Sequence, residues 1–105
     1  MEEQYFEEIR TAFCSKNPDI KSGKMMSSEA ITYKSKVFAF FSRKQKMVFK
    51  LGKDFDPNTY DIDISIFNPF KNRKPLYGWF EVSYDDKEQW EVLTQRSLNL
   101  IRQEL

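Results

Sequence analysis

Residues 31–51, ITYKSKVFAFFSRKQKMVFKL, constrain how this chain can fold more than any other part of the sequence. Apolar and polar residues alternate at 31–34, and the residues at 37–41 are apolar on both faces, which is typical of an interior strand. A polar run at 42–45 predicts a turn, and alternation resumes at 46–51. The pattern therefore predicts a β-hairpin whose buried face must be covered by helical segments from the two ends of the chain.

Two amphipathic segments can supply that cover. From residue 2 to about residue 15, apolar residues recur at helical spacing, with the glutamates and Arg10 on or near the wet side. Towards the other end, Asp85 and Glu88 form an acidic variant of the capping box that marks a helix start. A second helix is therefore predicted from about residue 86 to 103, lying across the face of the sheet.

The rest of the chain predicts loops, a helical turn and two further strands. Residues 17–24 are polar and are predicted to form a loop. A short helical turn is expected around 57–60, and the alternating isoleucines at 62–66 fit a strand or, over so few residues, a helix. Residues 67–75 contain two prolines and are predicted as loop, whereas the aromatic-rich segment 76–82 is predicted as the last strand.

These elements fit one domain. A chain of 105 residues is long enough to bury a single core without disulfides or metals. The order of helix, antiparallel strands and helix predicts an α+β fold for residues 1–105. In this two-layer arrangement, the N-terminal and C-terminal helices pack on one side of a curved antiparallel sheet of about four to five strands.

Composition argues against several kinds of chemistry. The chain contains no histidine, which removes the commonest general base and the commonest metal ligand. Cys14 is the only cysteine, so an intrachain disulfide cannot form and a reducing compartment is expected. The first residues are acidic and amphipathic, and no apolar run approaches the length of a membrane span. We therefore predict a cytoplasmic protein with no membrane association, no metal site, no cofactor and no catalytic residues.

The net charge of +1 conceals an uneven distribution. Residues 21–53 contain nine basic residues and one acidic residue, and the segments on both sides are acidic. One hypothesis is a nucleic-acid-binding module that uses the basic hairpin 34–53, with cations on phosphates and aromatic rings stacked on bases. The sequence pI of 7.8 is, however, below the strongly basic range of such domains. The candidate contact residues are Lys34, Lys36, Arg43, Lys44, Lys46 and Lys50.

A second hypothesis is a small protein-interaction or accessory domain with a regulatory role. It would bind an unknown protein partner, or a second copy of itself, through an edge strand or an aromatic surface around Tyr77, Trp79 and Phe80. A small-molecule pocket lined by aromatic residues is a further alternative. An enzyme is not expected. Glu81 is the one carboxylate that the pattern places in a buried setting, and an ion pair with a hairpin lysine is the simpler interpretation of it.

Over most of the chain, the pattern of residues and the order of elements resemble a known family. A methionine-containing segment at 25–26 is followed by an Ile-Thr-Tyr strand, then KVFA at 36–39, a charged turn and MVFKL at 47–51. This order resembles the N-terminal domain of TfoX-type proteins. The GWF segment at 78–80 with the helix after it is similar to the MmcQ/YjbR-like bacterial domains. The resemblance implies a small bacterial domain with a role in competence regulation, and it offers no catalytic residues to transfer.

Overall fold

The computed structural model describes residues 1–68 and 76–104, and within them the fold is α+β. Two α-helices flank six strands that form one antiparallel sheet in the order β1-β2-β3-β4-β6-β5. This confirms the predicted α+β fold, with somewhat more strands than the four to five expected. The elements are α1 (Glu2–Lys16), β1 (Ile20–Met25), β2 (Ser28–Tyr33), β3 (Lys36–Phe41), β4 (Met47–Lys50), β5 (Ile64–Ile66), β6 (Trp79–Val82) and α2 (Trp90–Glu104), with short 3-10 helices at Pro57–Thr59 and Tyr84–Gln89.

Strands β1 to β4 form consecutive hairpins, and β6 pairs with both β4 and β5. A β-bulge interrupts the pairing of β2 with β3, because Ile31 faces Ala39 whereas Thr32 faces Val37. Phe38 is therefore the extra residue on β3. Bulges bend a sheet and increase its twist. As a result, both Phe38 and the adjacent Ala39 belong to the larger apolar cluster of the protein. We call this cluster the main core; it also contains Phe6, Phe49 and Trp90.

One prediction was wrong at the first strand. Residues 17–24 were expected to form a loop, but β1 begins at Ile20 and forms an edge of the sheet. Ile20 is the one buried residue of this strand. The other residues can be polar because the outer side of an edge strand faces solvent. Gly23 allows the close approach to β2, because a Cβ at this position would lie 2.6 Å from Cγ2 of Thr32.

Both helices contribute to a single core on one face of the sheet. From α1 the core receives Phe6, Ile9 and Phe13, and from α2 it receives several residues of the predicted apolar stripe. Arg10 was expected on the wet side of α1, and that prediction was wrong. Its guanidinium is buried, and it donates hydrogen bonds to Glu29 (3.1 Å), to the carbonyl oxygen of Ala30 (3.3 Å) and to Glu7 (2.8 Å).

The last helix begins later than predicted. Residues 84–89 form a 3-10 helix, and α2 itself begins at Trp90 because Asp86 has non-helical backbone angles. The cap is Ser83, whose hydroxyl accepts a hydrogen bond from the backbone N–H of Asp85 at 3.0 Å. The indole N–H of Trp90 donates to the carbonyl oxygen of Ser83 at 3.1 Å and thereby fixes the start of α2 against the end of β6.

Strand β6 is shorter than the predicted strand 76–82. Its N-terminal part is a turn in which Gly78 has a φ of +90°, a value that glycine adopts without strain. The predicted loop 67–75 lies mostly outside the described residues. Its base is closed by backbone hydrogen bonds from Leu76 to Phe67 (3.0 Å) and from Phe67 to Trp79 (2.8 Å). Among the described residues, neither α-helix is both long and apolar enough to cross a membrane.

Candidate functional site

The second face of the sheet carries its own small apolar cluster, which contains no helix residue. We call this surface the helix-free face. Strand residues alternate between faces, so the neighbours of main-core residues on β2, β3, β4 and β6 point to this side. The buried members are Ala30, Phe40, Val48 and Phe67, and the half-buried ones are Met25, Val37, Leu76 and Trp79.

A concave site of about 310 Å³ lies on this face beside the β3–β4 turn. We call it the turn groove. Its volume is at the lower end of the range for small-ligand sites. The rings of Phe40 and Phe67 are in edge-to-face contact with centroids 5.2 Å apart, and they form its apolar floor. The lining residues are Met26, Ser28, Phe40, Ser42, Arg43, Lys44, Phe67, Asn68 and Glu81.

The β3–β4 turn places two cations at the rim of the turn groove. The turn is closed by backbone hydrogen bonds from Ser42 to Lys46 (2.9 Å) and from Gln45 to Ser42 (3.0 Å). Ser42 is buried, whereas Arg43 and Lys44 project into solvent. Within residues 1–68 and 76–104, neither cation has a carboxylate oxygen within 4.0 Å. Both are therefore available to an anion.

A nearly buried carboxylate, that of Glu81, also lines the turn groove. Glu81 lies on β6 opposite Val48, and its side chain is only 15% exposed. The nearest cation is Nζ of Lys46, at 3.8 Å, which agrees with the ion pair suggested by the sequence. That distance exceeds the length of a hydrogen bond. In the described part of the chain, no donor is hydrogen-bonded to this carboxylate, so its oxygens can still accept one.

A second, more polar groove of about 510 Å³ lies at the other end of the same strands. It includes Tyr77 and Trp79 together with Lys50 and Arg96. Its charges include one ion pair, in which Nζ of Lys50 lies 2.8 Å from Glu104 of α2. The guanidinium of Arg96 lies over the ring of Phe55, with its carbon 5.0 Å from the ring centroid. Because Asp54 and Glu104 both belong to this lining, the second groove is less favourable to an incoming anion than the turn groove.

The six basic residues proposed for nucleic acid do not form one surface. Lys34 and Lys36 flank the β2–β3 turn, whereas Arg43 and Lys44 occupy the β3–β4 turn at the other end of β3. A six-residue strand is about 17 Å long, so the two pairs are well separated. The remaining two, Lys46 and Lys50, each pair with a carboxylate.

The proposed aromatic surface is also divided. Tyr77 is 55% exposed, and Trp79 is half-buried on the helix-free face. Phe80 was assigned to that surface wrongly, since it is 3% exposed and packs against Phe55 in the main core, with ring centroids 5.1 Å apart. The physical reason is strand alternation, which directs consecutive residues to opposite faces.

Sequence reasoning missed most of the turn groove. Phe40, Phe67, Ser28 and Ser42 line it, and none was singled out as a candidate. One signal was present, because residues 37–41 were predicted to be covered on both faces, which implies an apolar patch behind the main core. The partners of that patch come from β1, β2, β4, β6 and the residue after β5, and the register of these strands cannot be derived from spacing alone.

Shifted pKa values occur away from the turn groove. Hydrogen bonds from Lys24 and Arg10 lower the pKa of Glu29, and burial raises the pKa of the Cys14 thiol. A thiol with a raised pKa is a poor nucleophile at neutral pH. No group of three or more metal-ligating side chains occurs within residues 1–68 and 76–104.

Comparison of the chain with protein-family models, with curated proteins and with solved structures found no match. The resemblance to TfoX-type and MmcQ/YjbR-like domains therefore stays a prediction.

Proposed function

We propose that this protein is a small binding or accessory domain with a regulatory role, and that it binds its partner on the helix-free face. The observation that carries the proposal is the turn groove, in which an apolar floor meets two cations that have no carboxylate partner among the described residues. Binding sites combine apolar surface with a few placed polar groups in this way. The partner is another protein or a second copy of this chain.

The groove suits binding better than catalysis. Its hydroxyls, from Ser28 and Ser42, lie in a chain without histidine, and Glu81 is the one carboxylate in the lining. Acyl or phosphoryl transfer needs a nucleophile held by a base and further groups that stabilise developing charge. We accordingly propose a non-enzymatic role in the cytoplasm. The single cysteine and the resemblance to a bacterial regulatory domain support this proposal.

Affinity capture with charge-reversed variants tests the proposal. The double substitution Arg43→Glu with Lys44→Glu places two negative charges at the rim of the turn groove. The matched control is Lys34→Glu with Lys36→Glu, which makes the same charge change at the opposite end of β3. We expect the first variant to lose the partner by at least about tenfold, as for central interface residues, and the control to retain it. Equal retention by both variants would contradict the proposal.

Nucleic acid is the alternative partner, favoured by the exposure of Arg43 and Lys44, which have no ion pair within residues 1–68 and 76–104. The same two variants distinguish it. Anisotropy of a labelled random duplex and a labelled single strand would be titrated at low and at moderate salt. If phosphates bind along the whole hairpin 34–53, binding should weaken as the salt concentration rises. Both variants should then bind the nucleic acid more weakly than the wild type does. Absence of binding at low salt leaves protein recognition as the function of the groove.

A further inference from the structure

The turn groove has a polarity pattern that restricts its ligand. Its floor is apolar, and its volume of about 310 Å³ leaves room for one bulky side chain with its adjoining backbone atoms. Phe40 and Phe67 are almost fully buried within the protein, so a ligand would contact only the exposed edges of their rings. The ligand should therefore carry an aromatic or a large aliphatic group.

The rim of the groove requires a negative charge. Arg43 and Lys44 are adjacent in a four-residue turn, and their nearest cationic neighbour in sequence, Lys46, already faces Glu81. Arginine binds carboxylate and phosphate through two parallel hydrogen bonds, and the neighbouring ammonium adds a third donor. An anionic group placed over the apolar floor would meet both side chains.

Glu81 in the lining can accept a hydrogen bond from a ligand. Its side chain is 15% exposed, and its one described partner, Nζ of Lys46, lies at 3.8 Å. A ligand N–H can therefore bond to this carboxylate in place of water. The hydroxyl of Ser28 lies in the same lining and can donate or accept.

An apolar group, an anion and an N–H donor occur together in one common structure, the carboxyl-terminal end of an amino-acid residue. We propose that the turn groove binds the α-carboxylate of an apolar or aromatic amino-acid residue, with the carboxylate at Arg43 and Lys44, the side chain on Phe40 and Phe67, and the nitrogen directed to Glu81. This inference rests on the proposed function and specifies the ligand of the same site. Two sources share this chemistry, namely a free amino acid and the C-terminal residue of a partner protein.

Four small probes test the inference by NMR titration of the 15N-labelled protein. L-phenylalanine represents the free amino acid, and N-acetyl-L-phenylalanine represents a protein C-terminus. N-acetyl-L-phenylalaninamide lacks the carboxylate, and 3-phenylpropionate lacks the nitrogen. Binding should shift the backbone resonances of residues 28, 42–46 and 81. The amide should bind at least about tenfold more weakly than the acid, because the charge-assisted hydrogen bonds are lost.

Two variants and one matched control assign the roles of the side chains. Arg43→Gln with Lys44→Gln should weaken every carboxylate probe by about tenfold, whereas Lys34→Gln with Lys36→Gln should weaken none. Glu81→Leu should weaken both nitrogen-bearing acids and leave 3-phenylpropionate unchanged. Thermal melting of each variant verifies that it is folded. Because the replaced cations are exposed, we expect their substitution to leave the fold intact.

The outcomes separate the two sources. Tighter binding of L-phenylalanine identifies a free amino acid as the ligand, and tighter binding of its N-acetyl form identifies a protein C-terminus. The inference is overturned if no probe shifts these resonances at about 10 mM, a range in which even weak sites are occupied. It is also overturned if the amide binds as tightly as the acid. If partner capture still depends on Arg43 and Lys44 in that case, the proposed function is retained and only the proposed ligand is wrong.

Discussion

Arg43 and Lys44 have the same charge as Lys46 and Lys50, but their surroundings differ. Lys46 and Lys50 each face a carboxylate from a neighbouring strand or helix. No ion pair within the described residues involves Arg43 or Lys44. A cation that already has a partner must give up that interaction when it binds a new anion, so it contributes less to binding. The binding free energy of the turn groove should therefore depend on these two residues more than on the total charge.

Gly23 shows how one residue sets the packing of an edge strand. A Cβ here would meet Cγ2 of Thr32 at 2.6 Å, and the Thr32 hydroxyl is held by a hydrogen bond to the carbonyl oxygen of Lys21 at 3.0 Å. Because that bond restrains the rotamer, we expect Gly23→Ala to lower the free energy of unfolding by about 1–3 kcal/mol. Urea denaturation measures the change.

The matched variant for this prediction is Thr32→Ser, which keeps the hydroxyl and removes the methyl group that a new Cβ would meet. In a Thr32→Ser background, Gly23→Ala should cost about 1 kcal/mol or less. An equal loss of stability in both backgrounds would show that the contact with Cγ2 is not the reason for glycine at this position.

At the scale of elements, the sequence predicted best the strands that are rich in apolar residues. Strands β3 and β4 lie close to where their patterns placed them, because both are largely apolar and each buries three consecutive residues. Strand β1 was missed because a polar edge strand with a single buried residue has no such pattern. The turn groove was missed for a related reason. It is assembled from β2, β3, β6 and the residues after β5, and neither the strand order nor the bulge at Phe38 can be read from spacing.

A network of charged residues centred on Arg10 connects α1 to the sheet. Its guanidinium joins Glu7 on the same helix to Glu29 on β2, and Glu29 also pairs with Lys24 of β1. Hydrogen bonds from Lys24 and Arg10 lower the pKa of Glu29 below its ordinary value of 4.5. A carboxyl whose pKa is lowered by folding stabilises the protein fully above about 4.5, and this contribution is lost as the pH falls through the lowered value.

Glu29→Gln should therefore destabilise the protein at neutral pH and have a smaller effect in acid. Urea denaturation midpoints of the variant and the wild type, measured at pH 7 and at about pH 3, give the loss of stability at each pH. The loss depends on pH because unfolding of the wild type is coupled to uptake of a proton by Glu29. Glu8→Gln, an exposed position on α1, is the matched control and should show little change at either pH. A difference between Glu29→Gln and wild type that grows on acidification would contradict the assigned role.

At the scale of the whole molecule, the two faces of the sheet are covered differently. One face is closed by both helices around the main core, and the other carries a smaller apolar cluster with the turn groove beside it. The two tryptophans report on the two faces separately. Trp90, the first residue of α2, is fully buried in the main core, whereas Trp79 is half-buried on the helix-free face with its ring centroid 5.6 Å from that of Phe40.

The central claim is that the helix-free face is the binding surface, and 19F NMR of the protein labelled with 5-fluorotryptophan tests it most directly. The two resonances are assigned with Trp79→Phe, and the purified partner recovered by capture is then added. We predict that the Trp79 resonance shifts or broadens while the Trp90 resonance stays in place, because only Trp79 borders the occupied face. A complex that forms with the Trp79 resonance unchanged would contradict the claim.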